Sequence, residues 1–297
     1  MNLQTDSFLE YLKSERNYSP ATIESYAKDL AEFRNFLEGQ RLEPQWADVK
    51  ADDVREWVIY MLDEQKLTAS SVNRKLSALR TCYKYLRKME VVKANPMEKV
   101  VAPKKKRPLP YFVRESDMDK LLELTAEDKT FKGVRDRLIL LMFYETGIRR
   151  AELLGLTDAS VDLKAKQIKV TGKRNKQRIV PFGGELEAEL PAYLDFRKTK
   201  TGLSNAPALF ITEEGKPLNE AQVSRIVKDN LSMVTTMKKR SPHVLRHSFA
   251  TAMLNNKADL TSIQKLLGHE SVATTEVYTH VSFEDLKNEY KNAHPRK

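Results

Sequence analysis

Pro242-His243-Val244-Leu245-Arg246-His247-Ser248-Phe249-Ala250-Thr251 is the stretch from which the rest of the chain can be read. Pro242 suits the first position of a helix, because its missing N–H would have no intrahelical partner there. His243 and Arg246 are three residues apart, so a helix brings both to one face, while Leu245, Phe249 and Ala252 give the other face an apolar stripe. Farther on, Ile263, Leu266 and Leu267 share a helical face, and Gly268 supplies a stop that leaves His269 just beyond it. Val277-Tyr278-Thr279-His280 follows, with Tyr278 on the next short helix. A planar guanidinium, imidazoles and a phenol are the groups to assemble around a phosphate attacked by a tyrosine. Each has a plainer reading alone: His-x-x-Arg serves as a solvated or capping pair, and a tyrosine at a helix end as half-buried core. His247 and His280 fit such ordinary roles. The ordered co-occurrence, together with an arginine motif far upstream, favours the chemical reading.

Whole-chain properties agree with a polyanionic ligand. The chain has 297 residues, room for two domains of ordinary size, and 41% hydrophobic residues to build their cores. Its net charge of +10 points first to nucleic acid and second to an anionic membrane surface. The single cysteine, Cys82, excludes an internal disulfide framework, fits a reducing compartment and sits in an apolar helical pattern that predicts burial. No apolar run reaches membrane-span length, and the first six residues do not read as a signal peptide, so the expectation is a cytoplasmic protein without membrane partners.

The first hundred residues read as helices. Leu3, Phe8, Leu9 and Leu12 have helical spacing; Ser19-Pro20 marks a capped start for a helix bearing Ile23, Tyr26, Leu30, Phe33 and Leu37. Val54, Val58, Met61 and Leu62 predict a third helix. A fourth begins near Thr68 or Ser70, with Val72, Leu76, Leu79, Tyr83 and Leu86 inward and Arg74, Lys75, Arg80, Lys84, Arg87 and Lys88 on its other face. That basic face suits solvation or phosphate contact equally. Pro103-Lys104-Lys105-Lys106-Arg107-Pro108-Leu109-Pro110 then predicts a stiff extended linker, whose lysines suit either solvent or a DNA backbone. Domains are accordingly expected at 1–102 and 111–297, joined by 103–110.

The second domain is expected to open with a capped helix carrying Leu121, Leu122 and Leu124, followed by a central apolar helix over 134–144 that ends at Gly147. Arg149 and Glu152 come just after, three apart, as either a surface ion pair or an arginine held by its carboxylate and aimed at a phosphate. Ile168, Val170 and Ile179 flank Thr171-Gly172-Lys173-Arg174-Asn175-Lys176, which predicts a hairpin with Lys173 and Lys176 at its tip. Such an element can enter a DNA groove. A short strand at Leu209-Phe210-Ile211 is expected between helices over 185–197 and 219–234, and a last helix over 283–292. The fold class is mainly α with one small sheet.

Tyr144-Glu145-Thr146-Gly147-Ile148-Arg149-Arg150-Ala151-Glu152-Leu153 resembles the first-arginine box of the tyrosine recombinases, the phage integrase family. Val170-Thr171-Gly172-Lys173-Arg174-Asn175-Lys176-Gln177-Arg178 resembles their lysine hairpin, and the His243–Arg246 box, Leu267-Gly268-His269 and Thr274-Thr275-Glu276-Val277-Tyr278-Thr279-His280 complete the set in family order. The resemblance extends to Ser19-Pro20-Ala21-Thr22 and to His294-Pro295-Arg296, and within the family it is to the Xer recombinases, which resolve chromosome dimers. It implies a two-domain, C-shaped DNA clamp with a helical, SAM-like core-binding domain and an α+β catalytic domain. It further implies Tyr278 as nucleophile forming a 3′-phosphotyrosyl bond, and Arg149, Arg246 and His269 as donors to the scissile phosphate. Lys173 would be the general acid at the leaving 5′-oxygen, His243 would assist proton transfer, and Glu152 would act as support. No cofactor, ATP or metal is implied, since the phosphotyrosyl link conserves the bond energy. The partners implied are double-stranded DNA at a specific site and a homo- or hetero-tetramer with a paralogous recombinase; a septal DNA translocase is left open as activator.

Two departures from the family pattern matter. Arg174-Asn175 stands where glycine is common after the hairpin lysine, which keeps Lys176 as a substitute for Lys173. Arg150 stands where an aliphatic residue is common, although the position after Gly147-Ile148 favours Arg149. Phe283, Leu286 and Tyr290 form a stripe able to dock into a neighbouring protomer or back onto their own domain. An integrase of a mobile element and a non-catalytic DNA-binding relative are the rival readings.

Overall fold

Capping residues decide where the helices of the first hundred residues start. The computed structural model describes residues 2–40, 43–104, 111–172, 175–202, 208–268 and 283–296. Lys105, Lys106, Lys173, His269 and Tyr278 lie outside the described residues. Helix α1 spans Asn2–Ser14. Helix α2, Pro20–Glu38, starts where Ser19 Oγ accepts the Thr22 N–H at 3.3 Å and proline takes the first helical position. Helix α3 is Ala51–Asp63, and α4, Ala69–Lys88, starts where Thr68 Oγ1 accepts the Ser71 N–H at 3.3 Å. Leu30, Phe33, Trp46, Trp57, Met61, Leu76, Leu79, Cys82 and Tyr83 form one buried core in this unit. Burial holds the Cys82 thiol far above its usual range.

Helix α4 corrects one expectation. Lys75 does not lie on an outer face with Arg74: it is 6% exposed and pairs with Asp29 at 3.4 Å and with Glu32. At 100° per residue it falls beside Leu79, Cys82 and Leu86, on the core side of the helix. Burial of its ammonium is tolerable because two carboxylates face it. Arg74 stays exposed while making a fork-to-fork pair with Asp29.

The chain divides into two units, Met1–Pro108 and Leu109–Lys297, the division falling inside the basic proline-rich stretch. In the second unit α5 is Glu115–Ala126, α6 Phe131–Thr146 and α7 Arg150–Leu154. Helix α6 is buried on nearly every side and packs against α5 and against three later helices, α8 (Gly184–Thr201), α9 (Glu220–Ser232) and α10 (Pro242–Asn255). Strands β1 (Val161–Asp162), β2 (Gln167–Thr171) and β3 (Gln177–Pro181) form an antiparallel sheet in that order, with Ile168 opposite Val180 and Val170 opposite Arg178. The two-residue β1 carries no periodic signal and was not foreseen.

No strand forms at 209–211. The backbone there makes one bridge, Ile211 to Pro217, with Phe210 O accepting the Leu218 N–H at 3.3 Å, while side chains meet the other carbonyls: Arg197 donates to Ala208 and Leu209, the Tyr193 hydroxyl to Leu209, and Arg135 Nη1 to Ile211 at 3.1 Å. With its acceptors occupied, the segment needs no ladder partner.

Helix α11, Leu260–Leu267, and helix α12, Phe283–Ala293, close the unit. Tyr290 and Ala293 are buried with Phe249, Met253, Ile263, Leu266 and Leu267, and Leu286 packs against this cluster, so the described face of α12 lies on its own unit. The tail follows it inward. His294 is buried, stacks on Tyr290 with ring centroids 4.8 Å apart, and its Nε2 lies 3.1 Å from Tyr144 O at the end of α6. Burial pushes the His294 imidazole down to about 4, so it is neutral near pH 7. Among the described residues no helix is long and apolar enough to cross a membrane.

Gly147 ends α6 in the left-handed region (φ +60°), and a Cβ there would lie 2.6 Å from Phe249 Cδ1 and 2.9 Å from Leu267 Cδ2. Gly202 ends α8 at φ +69° with no described heavy atom within 4 Å of its Cβ position. Both carry left-handed strain, of order 1 kcal/mol, when replaced by alanine. Only Gly147 adds overpacking of about 1–3 kcal/mol. Gly147→Ala is therefore expected to destabilise clearly more than Gly202→Ala in urea unfolding; equal losses would show that the close packing around Gly147 contributes nothing.

Candidate active site

The site is built where α11 ends. The last carbonyls of any helix lack intrahelical partners and must find donors elsewhere. Here three consecutive carbonyls find three arginines. Leu266 O accepts from Arg178 Nε at 2.8 Å, Leu267 O from Arg246 Nη2 at 2.6 Å, and Gly268 O from Arg149 Nη2 at 2.8 Å. The left-handed Gly268 (φ +64°) turns the chain at this point. The negative end of the helix dipole lies among the same cations.

Each arginine arrives from a different element. Arg149 immediately precedes α7, whose approach is set by the turn at Gly147-Ile148. Arg246 lies in the first half of α10 and is 7% exposed, and its Nη1 donates to Gly147 O at 2.6 Å, tying the α6 terminus to the α11 terminus. Arg178 lies on β3, opposite Val170. Arg150, the neighbouring candidate, turns away: its Nη1 donates to Ser224 Oγ at 2.8 Å and its Nη2 pairs with Glu220, both on α9.

One carboxylate balances part of this charge. Glu152 is 3% exposed, and its Oε2 accepts the Arg149 N–H at 2.7 Å and Arg178 Nη2 at 2.9 Å. Its Oε1 accepts Arg149 Nη1 at 2.8 Å and Arg178 Nη1 at 2.7 Å. Burial pushes this carboxyl upward, but the hydrogen bonds and charges of Arg178 and Arg149 outweigh it and hold the group down at about 2. Arg246, desolvated and beside Arg149, is lowered to about 10 and stays cationic at neutral pH. Two of the five N–H groups of Arg149, and two of those of Arg246, enter these bonds, leaving donors outside them for an anion.

His243 is exposed, one helical turn before Arg246 on α10. Partial burial, then the charges of Arg150, Arg246, His247 and Arg149, lower its pKa below the usual 6.5. A neutral imidazole beside the cations is a proton acceptor at neutral pH. At the hairpin, Asn175 adopts the left-handed conformation (φ +59°) and Gly172 N–H donates to Lys176 O at 2.7 Å, closing the turn with Lys176 exposed.

The structure thus brings together Arg149, Glu152 and Arg246, with His243 on the same face of α10 as Arg246 and Gly268 directly before His269. Lys173, His269 and Tyr278 lie outside the described residues, so their placement is not part of this geometry. Of the basic residues singled out for DNA, Lys104, Lys176 and Lys84 are exposed, Arg80 is half-buried, Arg74 is paired with Asp29, and Lys75 is removed from the candidate face by its burial. Sequence reasoning missed Arg178. The signal was available: Arg178 alternates with the buried Val180, so a strand puts a charge on its inward face, where it needs a buried partner.

Residues 111–285 match the phage integrase family, and residues 5–90 match the N-terminal SAM-like domain of phage integrases. The tyrosine recombinase XerC of Staphylococcus epidermidis is 38% identical over 291 residues, 98% of this chain and 97% of the relative. XerC of Staphylococcus aureus is 39% identical over 296 residues, 100% of this chain and 98% of the relative. Among solved structures, the XerH site-specific recombinase bound to a palindromic difH substrate in a post-cleavage complex has the same fold, with a TM-score of 0.72 at 22% identity, covering 96% of this chain and 83% of that one.

Glu152 gives a pH prediction. Its folded pKa (about 2) is below its ordinary 4.5, so the stability it contributes is present above 4.5 and lost as pH falls through about 2. Glu152→Gln should therefore cost of the order of 3 kcal/mol at pH 7. That gap should be clearly smaller at pH 3 than at pH 6 in urea unfolding. A gap constant from pH 7 to pH 3 would show that the carboxylate form is not what the arginines stabilise.

Proposed function

Because the chain belongs to the phage integrase family and is a site-specific tyrosine recombinase of Xer type, we propose that it binds double-stranded DNA at a specific site and exchanges strands through Tyr278. The observation that carries this reading is the convergence of Arg149 and Arg246 on the end of α11, one residue before His269. Two fixed guanidiniums with spare donors suit the non-bridging oxygens of one phosphate, and preorganised donors act most strongly where charge develops in the transition state.

In this reading the Tyr278 oxygen attacks the scissile phosphorus. A bond forms between that oxygen and phosphorus, and the bond from phosphorus to the 5′-oxygen breaks. The phenolic proton passes to an acceptor, for which His243 is suited by its lowered pKa. Lys173 gives a proton to the leaving 5′-oxygen, which departs as a hydroxyl. A 5′-hydroxyl from the partner strand then reverses the step and reseals the backbone. Arg149, Arg246 and His269 hold the phosphate throughout, and Glu152 holds Arg149. No net bond energy is lost, so the exchange needs no ATP.

The biological setting follows by similarity to XerC. We infer a cytoplasmic tetramer on two DNA sites, of this chain alone or with a paralogue, resolving chromosome dimers during cell division. Lys104, Lys176 and Lys84 are suited to backbone phosphates by exposure and charge.

The test starts with a duplex selected for binding from a randomised pool, then nicked next to the cleavage position so that a short 5′-hydroxyl fragment diffuses away. Wild type is expected to accumulate a covalent adduct on a denaturing gel. Tyr278→Phe should bind equally and form none, and Arg246→Ala should form it about 10²–10³-fold more slowly. Binding without any wild-type adduct would favour a non-catalytic DNA-binding relative.

A further inference from the structure

We propose that Arg178 is a positioning residue for strand cleavage: it fixes Glu152 and the end of α11 together, and through them orients Arg149. The role rests on the recombinase reading above.

Arg178 turns all three of its guanidinium nitrogens onto the protein. Nε donates to Leu266 O, while Nη1 and Nη2 take one oxygen each of Glu152, at 2.8, 2.7 and 2.9 Å. Arg149 differs: its Nε takes no part in the bonds to Glu152 and Gly268, and its side chain is 37% exposed against 16% for Arg178. One arginine is arranged as a brace and the other retains donors for a ligand. The brace joins three elements distant in sequence: β3, the turn into α7 and the carboxyl end of α11.

Two contacts make the geometry exacting. A Cβ on Gly268 would lie 3.0 Å from Arg178 Nη1 and 3.2 Å from its Nε and Cζ, so the guanidinium lies flat against the glycine that precedes His269. A Cβ on Gly172, at the base of the hairpin, would lie 3.3 Å from Glu152 Oε1. Moving Arg178 would free Glu152 to follow Arg149 and would leave Leu266 O without its donor. Lysine cannot replace this brace, because an ammonium offers a point charge in place of a planar fork. Misplacing reacting groups by about 1 Å can slow a reaction about 10²-fold.

The experiment uses full-length protein and the nicked duplex described above. Affinity, adduct rate at saturating protein and urea midpoint are measured for wild type, Arg178→Lys, Arg178→Gln, Glu152→Gln and the Arg178→Gln/Glu152→Gln double variant. Arg178→Lys should bind within about threefold of wild type, yet form adduct about 10²-fold more slowly. The Arg178→Gln and Glu152→Gln effects should combine to clearly less than their product in the double variant, because a large part of the Arg178 effect runs through that carboxylate. Arg178→Lys keeps the cation, so it decides the question even where Arg178→Gln unfolds. Wild-type rates in Arg178→Lys, or single-variant effects that multiply in the double variant, would overturn this role alone. A wild-type lane with binding but no adduct would overturn the recombinase reading and this role with it.

Discussion

The unsatisfied carboxyl end of one short helix is the constraint on which the second unit depends. Leu266, Leu267 and Gly268 present acceptors that α11 itself cannot pair. Water would normally take them, but Leu266 and Leu267 are buried in the apolar cluster of Phe249, Met253 and Tyr290. Side-chain donors from β3, α10 and the segment ahead of α7 close the gap. Three guanidiniums in so small a space repel one another, so the arrangement is tolerable only with Glu152 between Arg149 and Arg178 and the helix dipole opposite them.

The residual charge has a chemical meaning. Three arginines and one carboxylate leave a surplus of two positive charges, and Arg178 with Glu152 form a neutral braced pair within that sum. The surplus therefore falls on Arg149 and Arg246. A phosphodiester carries one negative charge, and attack by a phenolate raises it to two. In the proposed reaction such a surplus would match the transition state better than the resting phosphate, which is the condition for accelerating the chemical step. A neutral His243 adds proton-accepting capacity without a further positive charge.

Much of this was legible in the sequence, and the limits have physical causes. Ser19, Thr68, Pro242, Gly147 and Gly268 announce helix ends because capping and left-handed geometry restrict residue type locally. The pairing of Arg149 with Glu152 was readable because it is local. Arg178 was not assigned a role, since its partners at Glu152 and Leu266 are remote in sequence. Lys75 was misread for a related reason: a basic residue within a basic run looks like surface, and only Asp29 and Glu32 from α2 reveal it as an internal pair. The supposed strand at 209–211 failed because Arg197, Tyr193 and Arg135 take the carbonyls of Leu209 and Ile211, a competition no local pattern encodes.

The residues that follow α12 bear on the placement of Arg149. His294 Nε2 meets Tyr144 O, and Glu145, the next residue of α6, accepts the Gly183 N–H at 2.7 Å. Burial raises the Glu145 carboxyl to about 8, so near pH 7 it is mostly the neutral acid. Gly183 in turn packs so closely on Arg296 O that no side chain would fit between them, and Arg296 pairs with Glu185 and Asp119. The carboxyl end of α6 is thereby clamped by the turn into α8, by α8 and by the tail just before it delivers Gly147 and Arg149 to the site. Rigidity at that point is what allows a guanidinium on a short connection to hold a fixed direction. Disturbance of α12 or the tail should accordingly reach the arginines through Tyr144 and Gly147 rather than through the surface.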